Sequence, residues 1–477
     1  MSSGGFNTHP WWKKILLSWT HTGSEYFAEW IANWKVEPLI VAFVFLFALI
    51  AIATDVDPGA VTATFAMLIA LSPIWVPIYL ATFLITSWVH YVRYIFWFRQ
   101  EYVLVEIELP PEVEKSPKAI EIILTGMWNI GGETTFIHRV FKGQQRLVWS
   151  LEIAGTEGHV GFYIYMRRVW KSVIEARFYG QFPECRFHEV DDYITRVPYD
   201  STKYSLFAAE HAKAGSSAHP LPIRTYVDYG LDKDPDKPET VTDPIVNTLE
   251  TMGQLGKGEY MWMQLIIRPR KNDEWYGFYR KSGLGFDTLA NSYTESGKAE
   301  IDKITKGAIA RAQKFTEDET EKKKVGVRGS TLLSPVEKDR VEAIERSMSK
   351  LVFDCGLRTV YMAEKDKFDL ANIGSIVRFF NAYRYPNFGV IAAARGHPGM
   401  DYPWQDWGNV RKEKIARNMY FWSKHRAFFF VPHDQKETCL TTEEVATLWH
   451  FPNSQVKTPG LRRVPSRVSE APPNLPV

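Results

Sequence analysis

Apolar residues along this chain fall into two textures: long unbroken runs near the N-terminus, then short periodic runs. The nineteen residues Val36 to Thr54, VEPLIVAFVFLFALIAIAT, carry no charge after Glu37, and as a helix they reach about 28 Å against a bilayer core of roughly 30 Å. A second run, Val61 to Tyr91, is too long for one upright crossing and contains Pro73 and Pro77, which remove backbone donors and favour a kink. Between them TDVDPG, residues 54–59, has the proline and glycine of a chain reversal. The pattern predicts a transmembrane helical hairpin over 36–95, preceded by a cytoplasmic or interfacial segment over 1–35. Lys13, Lys14, Lys35, Arg93 and Arg99 flank the hairpin, whereas its loop holds Asp55 and Asp57 without Lys or Arg. Both termini are therefore expected on the cytoplasmic side of a cytoplasmic (inner) membrane. Trp30, Trp34, Trp88, Tyr91, Tyr94 and Trp97 stand where an aromatic belt at the headgroups belongs.

After residue 100 the periods become those of a folded α+β protein. YVLVEIEL (102–109) reads as a strand, and Ile120, Ile123, Leu124 and Met127 repeat at helical spacing. Leu147–Ile153 and Val160–Met166 read as a hairpin around AGTEG. Trp170, Val173, Ile174 and Phe178 mark a second helix, and Cys185–Val190 a last strand. The order βαββαβ predicts a ferredoxin-like unit over 101–200. Residues 201–220 read as a linker. A second ferredoxin-like unit is expected over 221–435, with Ile223–Tyr229 as its first strand, a helix after Asp243–Pro244, and the apolar strand EYMWMQLIIRP (259–269). It carries a long, charge-rich insertion near 270–335. Ser334, Pro335 and Glu337 then open a capped helix, and a strand at 352–362 and a helix from Leu370 follow. The last segment, 436–477, combines a capped helix with an extended tail.

Composition narrows the chemistry. The 57 basic and 55 acidic residues nearly cancel, so only local patches can attract nucleic acid. Three scattered cysteines, Cys185, Cys355 and Cys439, fit reduced thiols better than a disulfide framework. GQLGKG (253–258) lacks the spacing and hydroxyl of a phosphate-binding loop, and no H-E-x-x-H, C-x-x-C or G-x-S-x-G is present. GFYIY (161–165) puts aromatics on both strand faces, which favours sheet packing over RNA binding. His211, His219, His433, Cys439 and His450 match no metal spacing, and His397, Asp401 and Asp406 lie in a Gly/Pro-rich loop. No catalytic, cofactor or metal residue is assigned. Arg411, Lys412, Lys414, Arg417, Lys424 and Arg426 form the densest basic segment, a candidate contact for nucleic acid or anionic lipid; a solvated helix face is the alternative.

LTTEEVATLWHFPNSQVKTPGLRRVPS, continuing to EAPPNLPV, resembles the conserved pre-ATPase region of a group of uncharacterised bacterial membrane proteins related to conjugation-type, type IV secretion ATPases. Thr442, Glu443, Glu444, Ala446, Leu448, His450, Phe451 and Pro452 match its motif, and Thr458, Pro459, Leu461 and Arg463 the segment after it. The likeness extends more loosely back to residue 101. Relatives commonly continue into a RecA-type motor, so the resemblance implies an anchor and assembly subunit whose ATPase belongs to a separate cytoplasmic chain, or which forms a homo-oligomer on the lipid bilayer. It also implies Val445, Leu448 and Trp449 as a partner contact, the alternative being burial against the chain's own second unit. A generic membrane scaffold and a membrane enzyme with an unrecognised site remain the competing classes.

Overall fold

A computed structural model describes residues 46–463 except 53, 56, 111–112, 114, 133–134, 215–219, 233–242, 271–292, 315–332, 386–387, 397–405, 431–432, 436 and 453–459. Two compact units make up the chain. One comprises Met1–Val92, Tyr276–Asp287 and Pro398–Glu413, the other Arg93–Trp275, Thr288–His397 and Lys414–Val477.

The first unit holds helix α1, Pro58–Ala70, and most of α2, Ser72–Phe98. Asp57 caps α1 by accepting from the Ala60 N–H at 3.0 Å, and Pro58 opens the first turn, where its missing N–H costs nothing. α1 stops at Leu71, so the second apolar run is two helices rather than one kinked one. Pro73, which has no N–H to extend the preceding helix, sits at the second position of α2, and Pro77 is carried inside it. Among the described residues α2 alone is long and apolar enough to cross a membrane; α1 has 13 residues. The expected hairpin is corrected accordingly to one spanning-length helix. Most of its proposed first crossing, Val36–Thr54, lies outside the described residues.

The second unit is built on one open sheet of nine strands. Strands β1 (Tyr102–Glu108), β2 (Trp149–Thr156), β3 (His159–Arg167) and β4 (Arg186–Val190) alternate with helices α3 (Lys118–Met127) and α4 (Lys171–Gln181). Then come β5 (Tyr204–Lys213), α5 (Ile245–Gly253), β6 (Glu259–Pro269), α6 (Tyr293–Lys314), α7 (Pro335–Met348), β7 (Val352–Glu364), α8 (Leu370–Val377) and β8 (Ile391–Gly396). Helix α9 (Val410–Lys424), a two-stranded ribbon of β9 (Phe429–Phe430) with β10 (His433–Asp434), strand β11 (Thr438–Thr441) and helix α10 (Thr442–Leu448) follow, and short helical turns at Phe136–Val140 and Tyr193–Arg196 join the longer elements. The spatial order is β4-β1-β3-β2-β6-β7-β5-β8, with β11 also on β7.

Two separate ferredoxin-like units are therefore not what this sequence makes. β2 and β6 pair antiparallel from Trp149↔Ile267 to Thr156↔Tyr260 and fuse both halves into a single α+β domain. The reason is apolar surface on both strands. β2 is buried along seven of its eight residues and β6 along nine of eleven, so neither can end a sheet with a solvated edge. One core cluster draws Val105 and Leu151 from the first half, Met263 and Leu357 from the second, and Leu448 of α10 with Trp449 at its C-cap. The opposite face packs Tyr163, Trp262, Val360 and Leu206 against Tyr193 and, from α9, Ala416 and Met419.

Two further readings change. Residues 204–213, assigned to a linker, form interior strand β5, whereas 223–229 form no strand and are a turn from Tyr226 onward. β11 extends the sheet: β7 is 13 residues long, and on one edge it takes β11 at Val352–Cys355 and β5 at Leu357–Glu364. Within the insertion, α6 docks on α7, close enough that a Cβ added at Gly297 would lie 2.3 Å from the Met348 sulfur.

Candidate functional site

The capped helix predicted near residue 442 forms, but its apolar side faces inward. Thr441 accepts from the Glu444 N–H, and the Glu444 carboxylate accepts from the Thr441 N–H at 2.8 Å, a complete capping box. Val445 and Trp449 are fully buried and Leu448 is 2 % exposed. Trp449 meets Phe162 and Phe178 edge to face and Phe451 at a tilt, and its indole N–H donates to the Glu152 carbonyl at 3.2 Å. The proposed partner contact is thus core: these three side chains offer no surface to another chain.

The polar residues of the same motif are partnered inside the protein. Glu444 pairs with Lys213 of β5 at 2.8 Å, both side chains wholly buried, and accepts from the Ile223 N–H at 2.9 Å. Glu443 lies 3.2 Å from Arg346 and 3.5 Å from Lys350; burial raises its pKa, against the lowering by Thr225, Arg346 and Lys350. Thr442 donates to Glu121 at 3.1 Å, Thr447 accepts from the Tyr226 N–H, and His450 lies 3.1 Å from Asp243. The motif that carried the resemblance fastens the 220s loop, α3 and α7 to the sheet.

Sequence reasoning missed the second feature, a row of polar side chains crossing the other face. His188, Glu106, Tyr163, Glu152, Gln264, Arg358 and Glu210 are successive register partners on β4, β1, β3, β2, β6, β7 and β5. Each carboxylate in the row meets a cation. Glu106 is 3.0 Å from Arg462, Glu152 is held by two Arg426 nitrogens at 2.9 Å, and Glu210 by Arg358 at 2.7 Å and His433 at 2.6 Å. Burial alone would raise the Glu210 pKa, but the Arg358 charge and the His433 contact bring it down to about 2. Arg426 also pairs with Asp192 and lies 4.2 Å above the Tyr165 ring. The three carboxylates are held in ion pairs, a geometry that ties Asp192, Arg426, His433 and Arg462 onto the sheet.

The six basic candidates separate. Arg411, Lys412, Lys414 and Arg417 are exposed on α9, Lys424 is half-buried, and Arg426 belongs to the interior row. Asp406 accepts from the N–H groups of Arg411 and Lys412. Among the described residues no three His, Cys, Asp or Glu are grouped to hold a metal. His219, His397 and Asp401 lie outside the described residues. All three cysteines are buried, and burial pushes the Cys185 thiol up to about 12. Another unforeseen cluster brings Arg270, Arg268 and Arg146 to Asp354 at 2.7, 3.0 and 3.6 Å. A polar cleft of about 330 Å³ opens between α5 and α8, lined by Asn247, Thr251, Ser375, Arg378 and Asn381.

No protein-family model and no curated protein matches this chain.

Proposed function

We propose that the chain is a membrane-anchored, non-catalytic assembly subunit, with a type IV secretion-like transport machine as the setting to test. The observation that carries the anchor is α2. Its 27 residues leave Ile74, Ile78, Phe83 and Leu84 more than 60 % exposed, an apolar surface far larger than a water-facing helix tolerates. Only Arg99–Glu101 separate α2 from β1, so a bilayer that takes the helix holds the sheet unit close to its surface. Acidic Asp55 and Asp57 precede the apolar stretch and basic Arg93 and Arg99 close it, which favours a cytoplasmic sheet unit. The secretion setting rests on the LTTEEVATLWHFP resemblance, and a cytoplasmic ATPase is the partner which that resemblance suggests.

The test uses the full chain with its native cysteines replaced. Impermeant thiol labelling from outside should reach a cysteine at Val56 and spare one at Ser330; the reverse pattern overturns the orientation, and release of the chain by alkaline carbonate overturns the anchor. Gentle detergent extraction should then co-purify a cytoplasmic ATPase with the tagged chain. Its absence, while other membrane complexes survive, removes the coupling role.

A further inference from the structure

Where α8 meets α5 its side chains are small. Ala371, Gly374 and Ser375 line the cleft, and a Cβ added at Gly374 would meet nothing within 4 Å. Glycine is unfavourable inside a helix, and no close neighbour requires it here; what it leaves is room. At about 330 Å³ the cleft lies at the small end of the range of about 300–1,000 Å³ for small-molecule sites. Its chemistry is one-sided. Arg378, at the C-cap of α8, is exposed and lines the cleft, and no Asp or Glu lies among the described lining residues. Among the described residues this guanidinium has no ion pair, and the side-chain amides of Asn247 and Asn381 have no hydrogen-bond partner. The Thr251 hydroxyl donates to the Asn247 carbonyl at 2.7 Å and the Ser375 hydroxyl to the Ala371 carbonyl at 3.5 Å, so both oxygens remain as acceptors.

These groups specify what would complete them. We propose that the cleft between α5 and α8 binds a small hydroxylated carboxylate of the sugar-acid class, its carboxylate on Arg378 and its hydroxyls on Asn247, Asn381, Thr251 and Ser375. The planar fork of a guanidinium takes both oxygens of a carboxylate. One cation balances one negative charge, whereas a phosphate monoester brings about −1.5 to −2, and the carbonyls at the C-terminus of α8 add negative partial charge that disfavours the larger anion. The two hydroxyl oxygens need donors, and an amide both donates and accepts, which a polyol satisfies. The occupant is a solute rather than a lipid. Asn372 of α8 reaches Glu259 at the start of β6 at 3.4 Å, while the start of β1, which follows α2, is level through β3 and β2 with the far end of β6. This site stands independently of the membrane-anchor reading.

The test is isothermal titration calorimetry on the full chain in mild detergent, with glucuronate, galacturonate, glucose, acetate and glucose 6-phosphate as probes. At least one uronate should bind about tenfold or more tighter than glucose, which lacks the carboxylate, and tighter than acetate, which lacks the hydroxyls. Arg378→Met, at an exposed position, should weaken the uronate by about tenfold or more, the factor for a lost hydrogen bond to a charged group, and leave glucose unchanged. Gly374→Leu introduces a better helix former whose side chain enters the cleft; it should abolish uronate binding without lowering the Tm. Uronate affinity that survives either substitution overturns the site. Acetate bound as tightly as the uronates would reduce it to an unspecific anion contact, and glucose 6-phosphate bound more tightly would assign it to phosphate; each result overturns the sugar-acid assignment. Absence of binding by both uronates at millimolar concentration refutes the proposal outright.

Discussion

Replacing Lys213 with Met tests whether the interior is held by charge pairing across the C-terminal helix. Methionine keeps the length and apolar stem of lysine, so packing changes little. What disappears is the cation 2.8 Å from Glu444, in a pair with neither side chain exposed. At an effective dielectric of about 20 that attraction is about 6 kcal/mol, set against desolvation of several kcal/mol for each ion. The intact pair therefore adds little net stability, but removing one partner strands the other and typically costs about 3–5 kcal/mol. Glu444 would keep three donors, the Thr441 N–H at 2.8 Å, the Thr441 hydroxyl at 3.2 Å and the Ile223 N–H at 2.9 Å. They place the expected loss near the lower end, about 3 kcal/mol. Lys367→Met is the control: its pair with Glu364 is shorter, 2.6 Å, but the side chains are 41 % and 27 % exposed, so the loss should stay below about 1 kcal/mol. Urea unfolding of the full chain in mild detergent, followed by tryptophan fluorescence, measures both. A Lys213→Met variant within about 1 kcal/mol of wild type, or indistinguishable from Lys367→Met, would refute the reasoning.

Trp449→Ala should destabilise the sheet unit by about 3–5 kcal/mol, read from the same titration; an unchanged midpoint with loss only of a bound partner would restore the docking role. Burial lowers the His211 pKa to about 3, overriding the raising effect of Glu210, while the unfolded chain titrates near 6.5. The unfolded state then binds the extra proton in that window, so stability is full above pH 6.5 and falls as pH drops, by about 2 kcal/mol between 6.5 and 5; His211→Gln should flatten that part of the pH–stability curve. Lys412→Glu with Lys414→Glu, both exposed on α9, should shift stability by less than about 0.5 kcal/mol and abolish any salt-sensitive binding of DNA that the wild type shows in a mobility assay.

Element order was legible wherever an apolar period was clean. EYMWMQLIIRP became β6 at its predicted bounds, and the Ser334 and Thr441 caps formed with both reciprocal hydrogen bonds. The number of sheets was misread, although part of the signal was present: β6 carries Met261, Met263 and Leu265 on one face and Trp262 and Ile266 on the other, which an edge strand does not. β5 escaped notice because Glu210, His211 and Lys213 look like solvent-facing residues until their partners Arg358, Thr359 and Glu444, 148, 148 and 231 positions away, come into view. The polar row was hidden for the same reason, since register is a property of several strands together and no single strand displays it. The inward side of α10 could not be told from a docking face by spacing, because both present the same apolar stripe.

The position of α10 in the chain also governs when the domain can close. Trp449 completes the aromatic packing around Phe178, yet 271 residues separate them along the sequence. At about 5–20 residues per second a ribosome needs roughly 15–55 s to cover that distance. During that interval the nascent sheet lacks the side chains that seal one of its faces, and β7 lacks the strand that fills the end of its edge. Such a chain depends on a chaperone, or on its own slow partial collapse, to keep apolar strands from pairing with neighbours, and a premature stop a few residues before Trp449 would leave that exposure permanent.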